Sequence, residues 1–178
     1  MTNAELRSSR LDLIPMTVDF MEAGLRGDHE AARAMVGFRI PPGWPQEDRS
    51  MLRFRVAVAR AHPESLALLV RAIVLRADPE VMVGRIGFHG PADDDGLLEI
   101  GYAVFPEHRR QGYAREAAVA MFGWARRDPA VRTFRASVSP QNLASRNLVV
   151  SLGFVEVGSQ WDDEDGEETL FERAAGQF

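Results

Sequence analysis

The chain contains no cysteine and no lysine; all 21 of its basic residues are arginine. Without Cys, disulfides, thiolate metal sites and a cysteine nucleophile are excluded. Without Lys, a Walker A phosphate loop is excluded, because that loop needs a lysine on the phosphates. A Rossmann turn needs three spaced glycines, and the best candidate turn has only Gly112. A kinase or other nucleotide binder is disfavoured on both counts. No apolar run approaches the roughly 20 residues of a spanning helix. Glu5, Arg7, Arg10 and Asp12 interrupt any signal-peptide core near the N-terminus. The net charge of −5 argues against nucleic acid or a membrane surface as partner. Together these absences predict a cytoplasmic protein.

What is present fits one globular domain, residues 1–178, with 46% hydrophobic residues. Arg10–Ile14 alternates and predicts a strand stopped by Pro15. Thr17 and Asp28 are caps for helices ending near Arg26 and Met35. Pro41–Pro45 is a rigid loop, and Glu47–Ala61 predicts a helix. Strands are expected at Leu68–Arg76 and Val81–Phe88, then a hairpin turn at Ala92–Gly96 and a strand at Leu97–Phe105. A helix is expected over Gly112–Arg127, with Ala117, Ala118, Met121 and Ala125 on one stripe. Thr133–Val138 predicts a strand and 142–152 a short helix. A last hairpin pairs Phe154–Val157 with Thr169–Glu172. The pattern is α+β with a mixed sheet.

The segment Arg109-Arg110-Gln111-Gly112-Tyr113-Ala114 carries the chemistry. It joins a strand to a helix, and no Ser, Thr, Asp or Asn stands before Gly112 to cap that helix. Free N–H groups, a glycine and flanking arginines suit an anionic phosphate. The bland account is a surface loop with solvated arginines, which leaves the uncapped helix start unexplained.

Arg109, Gly112 and Ala114 supply the pattern R/Q-x-x-G-x-G/A. In this the chain resembles the GNAT superfamily of acyl-CoA-dependent N-acyltransferases, where the loop holds the coenzyme A pyrophosphate. The resemblance extends to Glu99–Pro106, similar to the family's fourth strand, and to Asn142, Ser145, Leu148, Leu152, Gly153 and Phe154, similar to its N-x-x-S helix and L-G-F strand entry. Order and spacing resemble the Rim-type branch of ribosomal-protein N-acetyltransferases, closely from about residue 80 to 158.

The resemblance implies a mostly antiparallel sheet flanked by helices and splayed at strand four. It implies acetyl-CoA as cosubstrate, with no metal, and a primary amine acceptor, either a small molecule or a protein or peptide N-terminus. A homodimer is compatible, since many relatives are dimers. The implied coenzyme contacts are Tyr102, Ala103 and Val104 on the strand, Arg109, Arg110, Gln111, Gly112, Tyr113 and Ala114 on the loop, and Asn142. Glu99 is the implied base and Ser145 the acid for the departing thiolate. A module that binds acyl-CoA without turnover, as a sensor or assembly partner, stays open.

Each residue also has a simpler account. Glu99 sits among Leu97, Leu98, Ile100 and Val104, a poor environment for charge; it is either a base or half of an ion pair with an Arg such as Arg85. Counting the hairpin back from Asp94 places His89 near Glu99. Asn142 can cap its own helix, Ser145 can be an exposed helical serine, and Gly153 a C-cap. Trp44 and Trp161 could line an acceptor pocket, but core packing is the expectation for each. Six of the seven residues Asp162–Glu168 are acidic, without calcium-loop spacing. They form either a solvated hairpin tip or a field that steers a cationic amine.

Overall fold

Eight strands in the order β1-β2-β3-β4-β5-β6-β8-β7 form the sheet of the computed structural model, which describes residues 6–163 and 166–178. The strands are β1 Leu6–Arg7, β2 Leu11–Pro15, β3 Arg71–Leu75, β4 Met82–Phe88, β5 Leu97–Val104, β6 Thr133–Val138, β7 Val155–Asp162 and β8 Gly166–Ala174. Every neighbouring pair is antiparallel except β5 and β6. Because β1 precedes the expected first strand, the family's fourth strand is β5 here.

Helices α1 Val18–Arg26, α2 His29–Ala34 and α3 Arg49–Ala61 lie between β2 and β3. Thr17 caps α1 by accepting from the Phe20 N–H, and Asp28 caps α2 by accepting from the Ala31 N–H, as their positions predict. Helix α4 is Tyr113–Ala125, and α5 is Leu143–Ser151. Helix α5 ends in a Schellman turn: the Phe154 N–H reaches the Val149 carbonyl, the Gly153 N–H reaches that of Val150, and Gly153 is left-handed at φ 80°.

Alternation along β3 divides the core. Ile73 packs with the α4 and α5 side, while Ala72 and Val74 pack with α1 and α3. The predicted stripe of α4 is buried as expected. On that side Phe88, Phe122, Phe134, Phe154 and Phe178 form one aromatic cluster, with Phe122 4.6 Å from both Phe134 and Phe178. Trp44 stacks on Phe20 at 4.9 Å in the other half, so core packing holds for it.

The β4–β5 hairpin aligns the site. The Asp93 carboxylate accepts from the N–H groups of Asp95 and Leu97 at 3.0 and 2.8 Å, and the His89 N–H then meets the Glu99 carbonyl at 2.8 Å. The last hairpin is longer than the alternating pattern suggested. Its β7 is the exposed edge of the sheet, carrying Val155, Val157 and Trp161 outward. Among the described residues no helix is long and apolar enough to cross a membrane.

Phe122→Ala opens a void where four aromatic rings meet. It should lower the free energy of unfolding by about 3–5 kcal/mol. Urea denaturation measures this, and a loss below about 1 kcal/mol would mean the cluster collapses freely onto the gap.

Candidate active site

Strands β5 and β6 pair in parallel only at Leu97–Thr133, Leu98–Phe134 and Glu99–Arg135. Beyond Glu99, β5 stays with β4 through Val104, while β6 stays with β8 through Val138. The two strands therefore diverge, and the edge of β5 from Ile100 onward loses its β6 partners. The opening is a cleft of about 390 Å³. Ile100, Gly101 and Tyr102 form one wall, Ala136–Ser139 the other, and α5 and its cap add Ser145 and Asn142.

Glu99 stands at the last paired position, half-buried. The Ser137 hydroxyl donates to its carboxylate at 2.6 Å across the beginning of the split. His89 Nδ1 lies 3.6 Å from the same oxygen, as the hairpin count predicts. The pairing with Arg85 does not form, and this corrects that expectation. Arg85 instead donates from Nε to the Asp48 carboxylate at 2.6 Å, because α3 begins directly over β4 and brings Asp48 closer.

Asn142 caps α5, accepting from the Ser145 N–H at 3.1 Å. Ser145 sits partly buried beside Tyr102 rather than exposed on the surface. The Tyr102 hydroxyl is buried without a hydrogen bond of ordinary geometry. Burial pushes the phenol above its usual pKa, and the Ser145 hydroxyl pulls the other way. The two hydroxyls are thus close enough to interact but are not aligned as a regular pair.

At the C-terminal end of β5 the chain makes the arginine turn. Arg109 anchors it by donating from Nε to the Val104 carbonyl at 2.9 Å. Arg110 and Gly112 are both left-handed, at φ 61° and 81°. These two residues turn the chain sharply from the extended Arg109 into the start of α4. No side chain caps α4 at Gly112.

The turn has a brace that sequence reasoning missed. Arg10 donates to the Gln111 carbonyl at 3.0 Å and lies over the Tyr113 ring at 4.9 Å. Glu116 holds Arg10 through its guanidinium and backbone N–H, each at 2.7 Å, and accepts from the Ser8 hydroxyl at 2.7 Å. Burial works to raise the Glu116 carboxyl, but these partners together hold it below the usual carboxylate range. Residues 8 and 10 lie more than a hundred positions from the turn, so no local pattern could disclose the brace.

On the other side of His89, Gly101 and Tyr102 lies a second cavity, of about 610 Å³. Those three residues line both spaces. The second cavity is polar at its floor, with Arg55 and Arg85, and its wall includes Trp161, Asp162 and Asp163. Trp161 is 75% exposed, so the core expectation fails for it: β7 is an edge strand with no helix over it. Of the acidic stretch, Glu164 and Asp165 lie outside the described residues.

Residues 10–155 match the family model of the acetyltransferase (GNAT) domain. The chain belongs to the GNAT family. It is 30% identical to the uncharacterized N-acetyltransferase YjdG of Bacillus subtilis (strain 168) over 150 residues, 84% of this chain and 89% of the relative. Its fold resembles Mycobacterium smegmatis RimJ in complex with CoA-disulfide, with a TM-score of 0.65 at 19% identity, covering 98% of this chain and 88% of that one. It also resembles RimL, a ribosomal L7/L12 alpha-N-protein acetyltransferase in complex with coenzyme A, with a TM-score of 0.65 at 16% identity over 96% and 98% of the two chains. GNAT membership makes this chain an acyl-CoA-dependent N-acetyltransferase and favours turnover over a binding-only module. The splayed strand, expected from that resemblance, is the geometry found between β5 and β6.

Tyr102 can be titrated in isolation. The chain has two tyrosines, so Tyr113→Phe leaves Tyr102 as the single phenol. Its ultraviolet titration midpoint should lie above about 10, the ordinary value for tyrosine. Ser145→Ala should move it higher still, because a donor to the phenolate is lost. A midpoint at or below the ordinary value would contradict the burial of that hydroxyl.

Proposed function

We propose that this GNAT protein transfers the acetyl group of acetyl-CoA to a primary amine by direct attack in a ternary complex. The observation that carries the proposal is the opening of β5 from β6 between an arginine turn at an uncapped helix start and a polar cavity. A nucleotide-bearing thioester suits the turn, the pantetheine arm suits the freed edge of β5, and the amine suits the cavity beyond Gly101.

In this reading Arg109, Arg110, Gln111, Gly112, Tyr113 and Ala114 bind the pyrophosphate through backbone N–H groups and guanidinium charge. The backbone of Tyr102, Ala103 and Val104 takes the pantetheine amides, and an N–H of the splayed strand polarises the thioester carbonyl. Asn142, already engaged as a cap, has its amide N–H groups left for the coenzyme. Aligning amine and thioester removes much of the entropic barrier.

The nitrogen bonds to the acetyl carbon, and the carbon–sulfur bond breaks. Glu99 takes the proton lost by the amine, with His89 beside it on the cavity wall. Ser145 gives a proton to the departing sulfur, with the Tyr102 hydroxyl at its side. Asp162 and Asp163 on the cavity wall favour an ammonium form of the acceptor before it loses its proton.

Two measurements test the parts. Gly112→Val puts a branched side chain at φ 81°, where only glycine is unstrained, and so distorts the turn. Acetyl-CoA affinity by calorimetry should fall by more than about tenfold, roughly 1.4 kcal/mol. Unchanged affinity removes the turn from the coenzyme site. Glu99→Gln keeps the shape and the Ser137 contact but removes the base. The kcat with a saturating amine should drop by roughly 10²-fold or more while acetyl-CoA affinity holds, and Ser145→Ala should cost less. A Glu99→Gln rate within a few-fold of wild type would make Glu99 a structural residue.

A further inference from the structure

The cavity beyond Gly101 holds a charge that the transfer chemistry does not use. Arg55 is a helix residue of α3, yet it is only 5% exposed. Its Nη1 donates to the His89 carbonyl at 2.8 Å. That bond aims the guanidinium at the place where cavity and cleft meet: a methyl group built on Gly101 would stand 3.0 Å from His89 Nε2 and 4.0 Å from Arg55 Nη2.

The neighbouring charges have closer partners of their own. Arg85 is neutralised by Asp48, and Glu99 is held by Ser137 with His89 nearby. Among the described residues no carboxylate lies within ion-pair distance of Arg55. Burial and the positive charge of Arg85 weaken its hold on its proton, lowering its pKa to about 10, and Glu99 offsets only part of this. Arg55 also lies over the Phe54 ring at 5.2 Å, but among the described residues no carboxylate is in contact with it. A buried cation so incompletely compensated is costly, and its retention in a cavity calls for an anion supplied from outside. A guanidinium offers a fork that fits a carboxylate or a phosphoryl group.

We propose that Arg55 is an oxyanion subsite, and that the acceptor is an amine bearing a carboxylate or phosphoryl group a few bonds from the reacting nitrogen. This rests on the acetyl-transfer reading above and narrows it. The short reach follows from the position of Arg55 beside Gly101, where the amine meets the thioester. Asp163 lines the same cavity, so a zwitterion finds both signs there, its ammonium towards that carboxylate and its anion on Arg55. A polyamine would place a second cation against Arg55 and is disfavoured.

Thiol release from acetyl-CoA by the full chain, measured with matched acceptor pairs, tests the proposal. The pairs are L-alanine against L-alaninamide, an Asp-Ala-Ala peptide amide against its Asn counterpart, and 2-aminoethyl phosphate against ethanolamine, with putrescine as a purely cationic amine. They separate a free amino acid, an acidic chain end and a phosphoryl group as the source of the anion. The anionic member of at least one pair should be preferred by roughly tenfold or more in kcat/KM, the scale of a charge-assisted hydrogen bond. Arg55→Gln should abolish that preference, and Arg55→Lys should keep part of it. Equal use of every pair, or putrescine as the best acceptor, overturns the subsite while leaving acetyl transfer intact. If Arg55→Gln does not fold, as judged by circular dichroism, the wild-type pairs decide. If no amine is acetylated, the transfer reading fails by itself, and the subsite is decided by binding. Succinate should then raise the Tm of the wild type but not of Arg55→Lys to the same extent, and no shift in the wild type overturns it.

Discussion

The parting of β5 from β6 after Glu99 is the constraint on which the site depends. Each strand keeps its other neighbour, so the sheet survives while one internal edge is left open. An open internal edge carries backbone donors and acceptors that need partners. Arg135, at the last paired position, turns to Glu172 on β8 at 3.0 Å and helps hold β6 on that side. Ser137, two residues further on, still reaches back to Glu99. The wedge therefore begins with a defined side-chain bridge, and the implied base stands at its apex.

The charges around this wedge are arranged by element. The turn at the far end of β5 gathers arginines at an uncapped helix start, and Arg10, just before β2, and Glu116 of α4 brace it. The cavity on the near side mixes both signs. Asp48 and Arg85 form a half-buried pair, which stabilises little by itself because desolvating both ions offsets their attraction. Its effect is to fix Arg85 over β4 and leave Arg55 as the cation facing the space beside Gly101. Helix α3 thus contributes to the site as well as to the core.

Much of this was legible in the chain. Thr17, Asp28 and Asp93 are local signals, since each side chain bonds a backbone N–H two to four residues away. The uncapped start of α4, its buried stripe, the β4–β5 register and the Gly153 turn are local in the same sense. The position of His89 against Glu99 followed from counting along one hairpin. Trp161 was misjudged because an aromatic in a strand looks alike on a covered face and on a bare edge, and strand order is not written locally.

By itself, then, the sequence determined the element order, the arginine turn and the family, because each rests on residues near one another in the chain. The tertiary structure alone decided which charges meet. Arg85 finds Asp48 rather than Glu99, Arg10 finds Glu116 and Gln111, and Arg55 is buried beside Gly101 while other arginines of α3 reach solvent. Those outcomes depend on how α3 and α4 lie across the sheet. Helices are placed by the fit of their buried faces, a property of the whole core that no short stretch of sequence encodes.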